Sequence, residues 1–353
     1  MRRKALFFLP SSTGGAERMT ITIGKMLPMD DFEVKFIIVG RNTGSIGRFI
    51  PSEYATEFLY ISNVWDFFTF KLMRIMRRER PHVVFCSLMV YNSRVALAAH
   101  FIGGIKIVIR NNNDFTNMRK DKLLLCKATY PLANVIIAQQ EEMMQDIIKH
   151  IPKVADKIVV LQNPVDVSTI KAKANAPSPF PPNLKQRECN YVCVARFTHA
   201  KGQDVLAKAF AILAKKNNDA HLYFIGKYDE NDHYCKQVKQ IVIDSGLDDR
   251  VHFVGFDDDP YRWMRHCNCL VLPSRREGLP NVLIEAQYLG IPVAATESLP
   301  VIRRIVKEGI NGYTAPSDNP KALAEAMEKA ITLHDVPTTY KSAEPSEFIK
   351  LFR

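Results

Sequence analysis

Four side chains in the second half of the chain have types and spacings suited to a charged, hydroxylated ligand: Arg196, Lys201, Glu277 and Glu285. Lys201 follows Arg196 by five residues and is itself followed by Gly202. Two fixed cations beside a glycine-opened helix start suit a diphosphate, whose oxygens accept charge-assisted hydrogen bonds. A diphosphate that leaves during a reaction develops negative charge, and the same cations then stabilise the transition state. Glu277 and Glu285 are eight residues apart. On one continuous helix they would be separated by about 12 Å, too far to share one small group. With Glu277 on a loop and Glu285 in a helix, they suit two parts of one extended ligand. A nucleotide sugar, anionic in the middle with hydroxyls at each end, is such a ligand. The plainer reading is a helix that opens with one glutamate and carries another on its wet face.

The elements that must position these groups are legible around them. Residues 269–273, Cys-Leu-Val-Leu-Pro, read as a buried parallel strand. A loop with Arg275 and Arg276 leads to Glu277 and Gly278, and residues 281–288 have helical spacing with Pro280 placed as a first-turn proline. In open α/β sheets ligands collect at the carboxyl ends of strands, and a helix start offers N–H groups to an anion. Arg196 stands likewise at the end of the strand expected at 191–195.

Strand and helix signals alternate throughout. Strands are expected at 5–9, 34–39, 54–61, 83–86, 105–109, 135–138 and 158–161, then at 191–195, 221–225, 251–255, 269–273 and 292–295. Helices follow Gly14-Gly15 and occupy 65–80, 141–150, 204–216, 233–245, 260–265, 281–288 and 320–333. The pattern implies an α/β chain of two doubly wound Rossmann-like domains facing a cleft. A proline-rich passage with Pro177, Pro179, Pro181 and Pro182 marks a linker at 167–187. The domains are then 1–166 and 188–333, with a tail at 334–353 whose Phe348, Leu351 and Phe352 suit packing on the first domain.

At 353 residues, with 47% hydrophobic and 24% charged residues, the chain has the length and composition of two globular domains. No apolar run approaches the roughly 18 residues of a membrane span. The opening Arg2-Arg3-Lys4 and apolar residues 5–9 imitate a signal peptide, but the apolar part is short, so it reads as a strand. Seven cysteines without framework spacing suggest a reducing, cytoplasmic setting. The net charge of +11 is uneven, because residues 1–160 hold 23 Lys and Arg against 14 Asp and Glu. A basic first half suggests an anionic partner, and without a nucleic-acid motif a membrane surface or phosphate-bearing lipid ranks above nucleic acid. Residues 65–80 place Trp65, Phe67, Phe68 and Phe70 beside KLMRIMRRER, which suits either a membrane interface or an ordinary surface helix.

Taken together these residues resemble the family 4 retaining glycosyltransferases of GT-B fold. The match rests on Arg196 with Lys201-Gly202, on Glu277 and Glu285 in their Glu-Gly-Leu-Pro-Asn context, and on Gly14-Gly15-Ala16-Glu17-Arg18. Asn163-Pro164-Val165-Asp166 and Glu308-Gly309-Ile310-Asn311-Gly312-Tyr313 match as well. The resemblance implies that Arg196 and Lys201 bind the donor diphosphate, that Glu285 holds the ribose hydroxyls and that Glu277 reaches the transferred sugar. Gly14 and Gly15 would approach the phosphates, and Gly278, Leu279 and Leu283 would face the donor. It implies retention of configuration, with no catalytic metal, no cofactor and no protein nucleophile. Many relatives carry a histidine near the end of the strand that here closes as Ile109-Arg110-Asn111-Asn112-Asn113. Arg110 and Asn111 are therefore the expected substitutes for its sugar or acceptor contact.

The expected activity is transfer of a sugar from a UDP-sugar, favoured over GDP-mannose, to a lipid-linked or growing glycan in surface polysaccharide assembly. The expected location is the cytoplasmic face of the plasma membrane. The alternative is a nucleotide-sugar-binding scaffold without transfer. Three other signals are set aside. Asp257-Asp258-Asp259 precedes Pro260 and a helix, where acidic residues cap and complement the dipole rather than hold a metal. His266, Cys267 and Cys269 match no zinc spacing. Glycoside hydrolysis would use two carboxylates but leave Arg196 and Lys201 without purpose.

Overall fold

A computed structural model describes every residue except 1, 13, 42–45, 62–67, 113, 114, 117 and 181–188. The chain divides into two compact units, Met1–Val165 with Lys341–Arg353, and Asp166–Tyr340.

The first unit runs β1 (Arg3–Pro10), α1 (Gly15–Met26), β2 (Phe32–Gly40), β3 (Ala55–Tyr60), α2 (Phe68–Glu79) and β4 (Val83–Cys86). It continues with α3 (Met89–Ile102), β5 (Lys106–Arg110), α4 (Lys120–Thr129), β6 (Val135–Ala138), α5 (Glu141–His150) and β7 (Ile158–Val160). The seven strands form a parallel sheet in the order β3-β2-β1-β4-β5-β6-β7. Central strands of such a sheet are covered on both faces, which is why β1 is a continuous apolar run. Its Leu6 and Phe8 join the core on one face, while Ala5, Phe7 and Leu9 join the core on the other.

The second unit runs α6 (Val167–Ala174), β8 (Cys189–Val194), α7 (Gln203–Ala214), β9 (Ala220–Ile225), α8 (His233–Asp244), β10 (Val251–Gly255) and α9 (Pro260–Arg265). Next come β11 (Cys269–Leu272), α10 (Asn281–Tyr288), β12 (Val293–Thr296), α11 (Ile302–Ile305), β13 (Gly312–Ala315) and α12 (Pro320–Ala330). Its six parallel strands are ordered β10-β9-β8-β11-β12-β13. The winding direction reverses between β8 and β11, the switch point at whose carboxyl ends doubly wound sheets bind ligands. A last helix, α13 (Pro345–Phe352), belongs to the first unit. Its Phe352 stacks on Phe7 with ring centroids 5.4 Å apart, and both Phe348 and Phe352 are fully buried.

Several elements depart from the expected pattern. Within 167–187 the chain forms α6, whose N-cap Asp166 accepts a hydrogen bond from the Thr169 N–H at 3.0 Å. Beyond it Phe180 packs on Tyr223 and Trp263, so residues 167–180 are anchored in the second unit, while 181–187 of the expected linker lie outside the described residues. Helices α3, α4, α11 and α13 and strand β13 were not anticipated. Helix α3 buries Asn92 and Ser93 beside Val95, Ala96, Ala98 and Ala99, so it lacks the polar stripe that marks a surface helix. Strand β13 opens on Gly312, where a Cβ would lie 2.2 Å from the Val293 carbonyl oxygen. The close approach needs a glycine, and glycine is a poor strand signal.

Candidate active site

The second unit brings Lys201 and Glu277 into direct contact. Strand β8 delivers Arg196, a 3-10 turn at His199–Lys201 delivers the lysine, and Gly202 in the left-handed conformation (φ 67°) redirects the chain into α7. Gly202 lies against the end of β11, where an added Cβ would stand 2.1 Å from the Pro273 carbonyl oxygen. The loop after β11 then presents Glu277. Lys201 Nζ donates to both carboxylate oxygens of Glu277, each at 2.7 Å, and Ser274 Oγ donates to Glu277 Oε1 at 2.6 Å. Ser274 is itself pinned, its carbonyl accepting from Thr296 Oγ1 at 2.6 Å.

The Glu277 side chain is only 7% exposed and that of Lys201 is 27% exposed. A buried charge pair of this kind holds its geometry because separation would leave each charge unpaired. An ammonium has three N–H donors, so with two on Glu277 Lys201 retains one for an incoming anion. Arg196 is exposed, and among the described residues its guanidinium makes no ion pair or hydrogen bond. Its carbonyl accepts from Gln203 Nε2 at 2.9 Å, which ties the strand end to the first turn of α7. The start of α7 thus carries a neutralised Lys201–Glu277 pair, with Arg196 as an exposed cation on the preceding strand end. The net charge of these three groups is positive, which favours an anion.

Cys193 lies under this pair, and burial raises its thiol to about 12, outweighing the opposite pull of Lys201. It is a neutral thiol at ordinary pH and no nucleophile. Glu285 has a separate partner, Tyr261 of α9, whose hydroxyl donates to Glu285 Oε1 at 3.3 Å. Gly278 and Leu279 are half-buried, Leu283 is fully buried and its N–H donates to the Pro280 carbonyl at 3.1 Å. Pro280 occupies the N-cap rather than the first turn, and no side chain caps α10.

Two family models match the chain, Glycosyltransferase Family 4 over residues 13–169 and Glycosyl transferases group 1 over residues 177–344. The chain belongs to the family 4 glycosyltransferases.

This transferase is 22% identical to the N-acetylgalactosamine-N,N'-diacetylbacillosaminyl-diphospho-undecaprenol 4-alpha-N-acetylgalactosaminyltransferase of Campylobacter jejuni, over 97% of this chain and 93% of that protein. It is 23% identical to the capsular polysaccharide biosynthesis glycosyltransferase CapH of Staphylococcus aureus, over 92% of this chain and 89% of that one. Among solved structures, Anabaena Alr3699/HepE in complex with UDP and glucose aligns with a TM-score of 0.80 at 18% identity. The alignment covers 99% of this chain and 98% of that one, and the transferase shares its GT-B fold.

In the first unit the expected residues have other surroundings. The Glu17 carboxylate folds over Gly14, where an added Cβ would lie 2.4 Å from Glu17 Oε2, and Ser12 Oγ donates to Glu17 Oε1 at 2.5 Å. The start of α1, with Gly15 as its first residue, therefore already carries a carboxylate of the chain's own. Arg110 is 2% exposed and Asn111 0%. Arg110 donates to Asn112 Oδ1 at 2.6 Å and to Asn163 Oδ1, while Asn111 accepts from the Tyr130 hydroxyl at 3.0 Å. The expectation placed these two side chains against sugar or acceptor, whereas the fold seals them into a polar network under the ends of β4, β5 and β6. Asn113 and Asp114 lie outside the described residues.

Two other motifs also have structural partners. Asn311 is fully buried, accepts from the Lys307 N–H at 2.7 Å and donates to the Ile305 carbonyl at 3.1 Å, which shapes the turn into β13. In the acidic triplet Asp259 makes no side-chain cap bond to α9, contrary to expectation. Asp257 holds that helix instead, accepting from Arg262 Nη2 at 2.7 Å and Trp263 Nε1 at 2.8 Å. No group of three or more His, Cys, Asp or Glu suited to a metal occurs among the described residues.

Sequence reasoning missed Ser274, Tyr261 and the partners of Arg275. The available signal for the last was the pair of arginines in the loop, and the acidic partners of Arg275, Asp204 and Asp318, lie 71 and 43 residues away.

Proposed function

We propose that this glycosyltransferase moves a sugar from a UDP-sugar to a lipid-linked glycan in surface polysaccharide biosynthesis, with retention of configuration and without a metal. The Lys201–Glu277 pair carries the reading: a carboxylate fixed beside a cation on a switch-point loop can meet sugar hydroxyls while the cation meets phosphate. The bond from the anomeric carbon to the diphosphate oxygen breaks as the acceptor hydroxyl oxygen bonds to that carbon. The departing UDP takes the acceptor's proton, and its charge is stabilised by Arg196 and the remaining donor of Lys201. Glu285, oriented by Tyr261, takes the ribose hydroxyls. The nucleotide assignment is supported by the UDP-bound fold relative, the lipid-linked acceptor by the name of the Campylobacter relative, and the role in surface polysaccharide by the name of the Staphylococcus one.

A membrane-borne acceptor also suits the first unit. Helix α2 exposes Phe70, Arg74 and Arg77 while burying Leu72, Ile75 and Met76, and α4 exposes Lys120, Lys122, Leu124 and Lys127. Arg78 is committed otherwise, bonded to Glu57 and Glu79. Trp65 and Phe67 lie outside the described residues. No helix among the described residues is long and apolar enough to cross a membrane. A basic and apolar surface of this kind suits attachment to an anionic membrane.

The test incubates the protein with a panel of UDP- and GDP-sugars and polyprenyl-diphosphate-linked acceptors in chelator. Mass spectrometry identifies the product, and NMR of the new linkage reads its anomeric configuration. Transfer from a UDP-sugar with the donor's configuration kept supports the proposal. Transfer only from a GDP-sugar, inversion, or dependence on added metal contradicts it.

A further inference from the structure

Lys201 sits on a 3-10 turn of only three residues, a short element with weak internal bonding. Its 2.7 Å contacts to Glu277 therefore need an external constraint, and Arg275 supplies it from both sides, with the Arg276 N–H adding a bond to the Ala200 carbonyl at 3.1 Å. Ahead of Lys201, Arg275 Nη1 donates to the His199 carbonyl at 2.8 Å, and the Arg275 N–H donates to the Ala200 carbonyl at 2.9 Å. Behind it, the guanidinium makes a two-pronged pair with Asp204 in the first turn of α7, at 2.8 and 2.7 Å. Its Nε also donates to Asp318 Oδ1 at 2.6 Å, and the Tyr234 hydroxyl donates to Asp204 Oδ1 at 2.6 Å. Glu277 is two residues beyond Arg275 on the same loop.

We infer that Arg275 is the positioning residue of the donor site: bound to Asp204 and to the carbonyls before Lys201, it sets where Lys201 stands relative to Glu277. The inference rests on the donor-site reading of that pair. The planar, two-pronged geometry fixes distance as well as charge, which a lysine in its place would not. Arg275 itself touches no reacting atom, so its effect on the donor passes through Lys201.

A double-mutant cycle on the full chain separates this role from a general structural one, with calorimetric titration of UDP as the readout. Arg275→Gln is expected to weaken UDP binding by about tenfold, and Lys201→Ala by at least as much. In the Lys201→Ala background the Arg275→Gln change is expected to cost less than about twofold, because the group it positions is gone. A factor that is the same with and without Lys201 would overturn the inference, as would UDP binding by Arg275→Gln at parental strength. If Arg275→Gln loses its far-UV circular dichroism, Tyr234→Phe replaces it. This variant removes only the hydroxyl that steadies Asp204, and about a threefold loss that vanishes without Lys201 is expected. An unchanged affinity overturns the inference by that route. A parent that does not bind UDP, or a Lys201→Ala variant that binds it as the parent does, removes the site reading and the inference together.

Discussion

Replacing Gly202 by alanine tests the close backbone contact beside Lys201. The residue has φ 67°, where an L side chain costs about 1–2 kcal/mol. The new Cβ would stand 2.1 Å from the Pro273 carbonyl oxygen and 3.0 Å from its carbon, both of them backbone atoms at the end of β11. To reach ordinary contact at 3.4 Å, the turn must retreat by about 1.3 Å. Lys201 is the adjacent residue, so its 2.7 Å bonds to Glu277 lengthen to about 4 Å and are lost. Conformational cost and clash together are expected to remove about 2–4 kcal/mol of stability. A misplacement of about 1 Å costs on the order of a hundredfold in rate, and loss of the ammonium contact about tenfold in nucleotide affinity. Urea unfolding and UDP titration read the two effects separately. A variant within about 0.5 kcal/mol of the parent that binds UDP equally well would refute the argument.

Three further outcomes follow from the geometry. Phe352→Ala removes a fully buried ring stacked on Phe7 and packed 5.6 Å from Phe85, and should cost about 3–5 kcal/mol in urea unfolding. Burial raises the Asp204 pKa, but hydrogen bonds from Arg275 and Tyr234 outweigh it and lower the group from 3.8 to about 2. Its stabilisation is therefore fully present above pH 3.8 and lost as pH falls through about 2. The stability gap between parent and Asp204→Asn is then constant from neutral pH to about 4 and closes below it. Reversing Arg74, Arg77, Lys120 and Lys122 to glutamate should abolish co-sedimentation with anionic vesicles, since each basic residue near such a surface contributes about 1 kcal/mol. Equal sedimentation of parent and variant would rule out that face.

The alternation of strands and helices was legible because parallel strands buried on both faces are unbroken apolar runs, as at Phe7-Phe8 and at Cys269-Leu270-Val271. The candidate site residues stood out as types because they fall at the carboxyl ends of strands, where open α/β sheets collect ligands. Their pairing was not legible, because Lys201 and Glu277 are 76 residues apart and only the adjacency of β8 and β11 joins them. The same reason hid Arg275 and Asp204. Arg110 was expected only as a substitute for the family's histidine, and nothing near it in sequence showed that Asn163, 53 residues on, accepts its hydrogen bond in the interior. Helix α3 escaped notice because burial of its polar residues erases the amphipathic period on which a helix reading depends.

The central claim is that Lys201 and Glu277 form one half of a UDP-sugar site. Calorimetric titration of UDP in chelator, against the parent, Lys201→Ala and Glu277→Gln, tests it most directly. The account predicts that the parent binds UDP without metal and that Lys201→Ala binds it at least about tenfold more weakly. Glu277→Gln is predicted to keep UDP affinity within a few-fold while losing discrimination for the sugar-bearing donor over UDP alone. Parental affinity in Lys201→Ala, or no binding of UDP by the parent, would contradict the account.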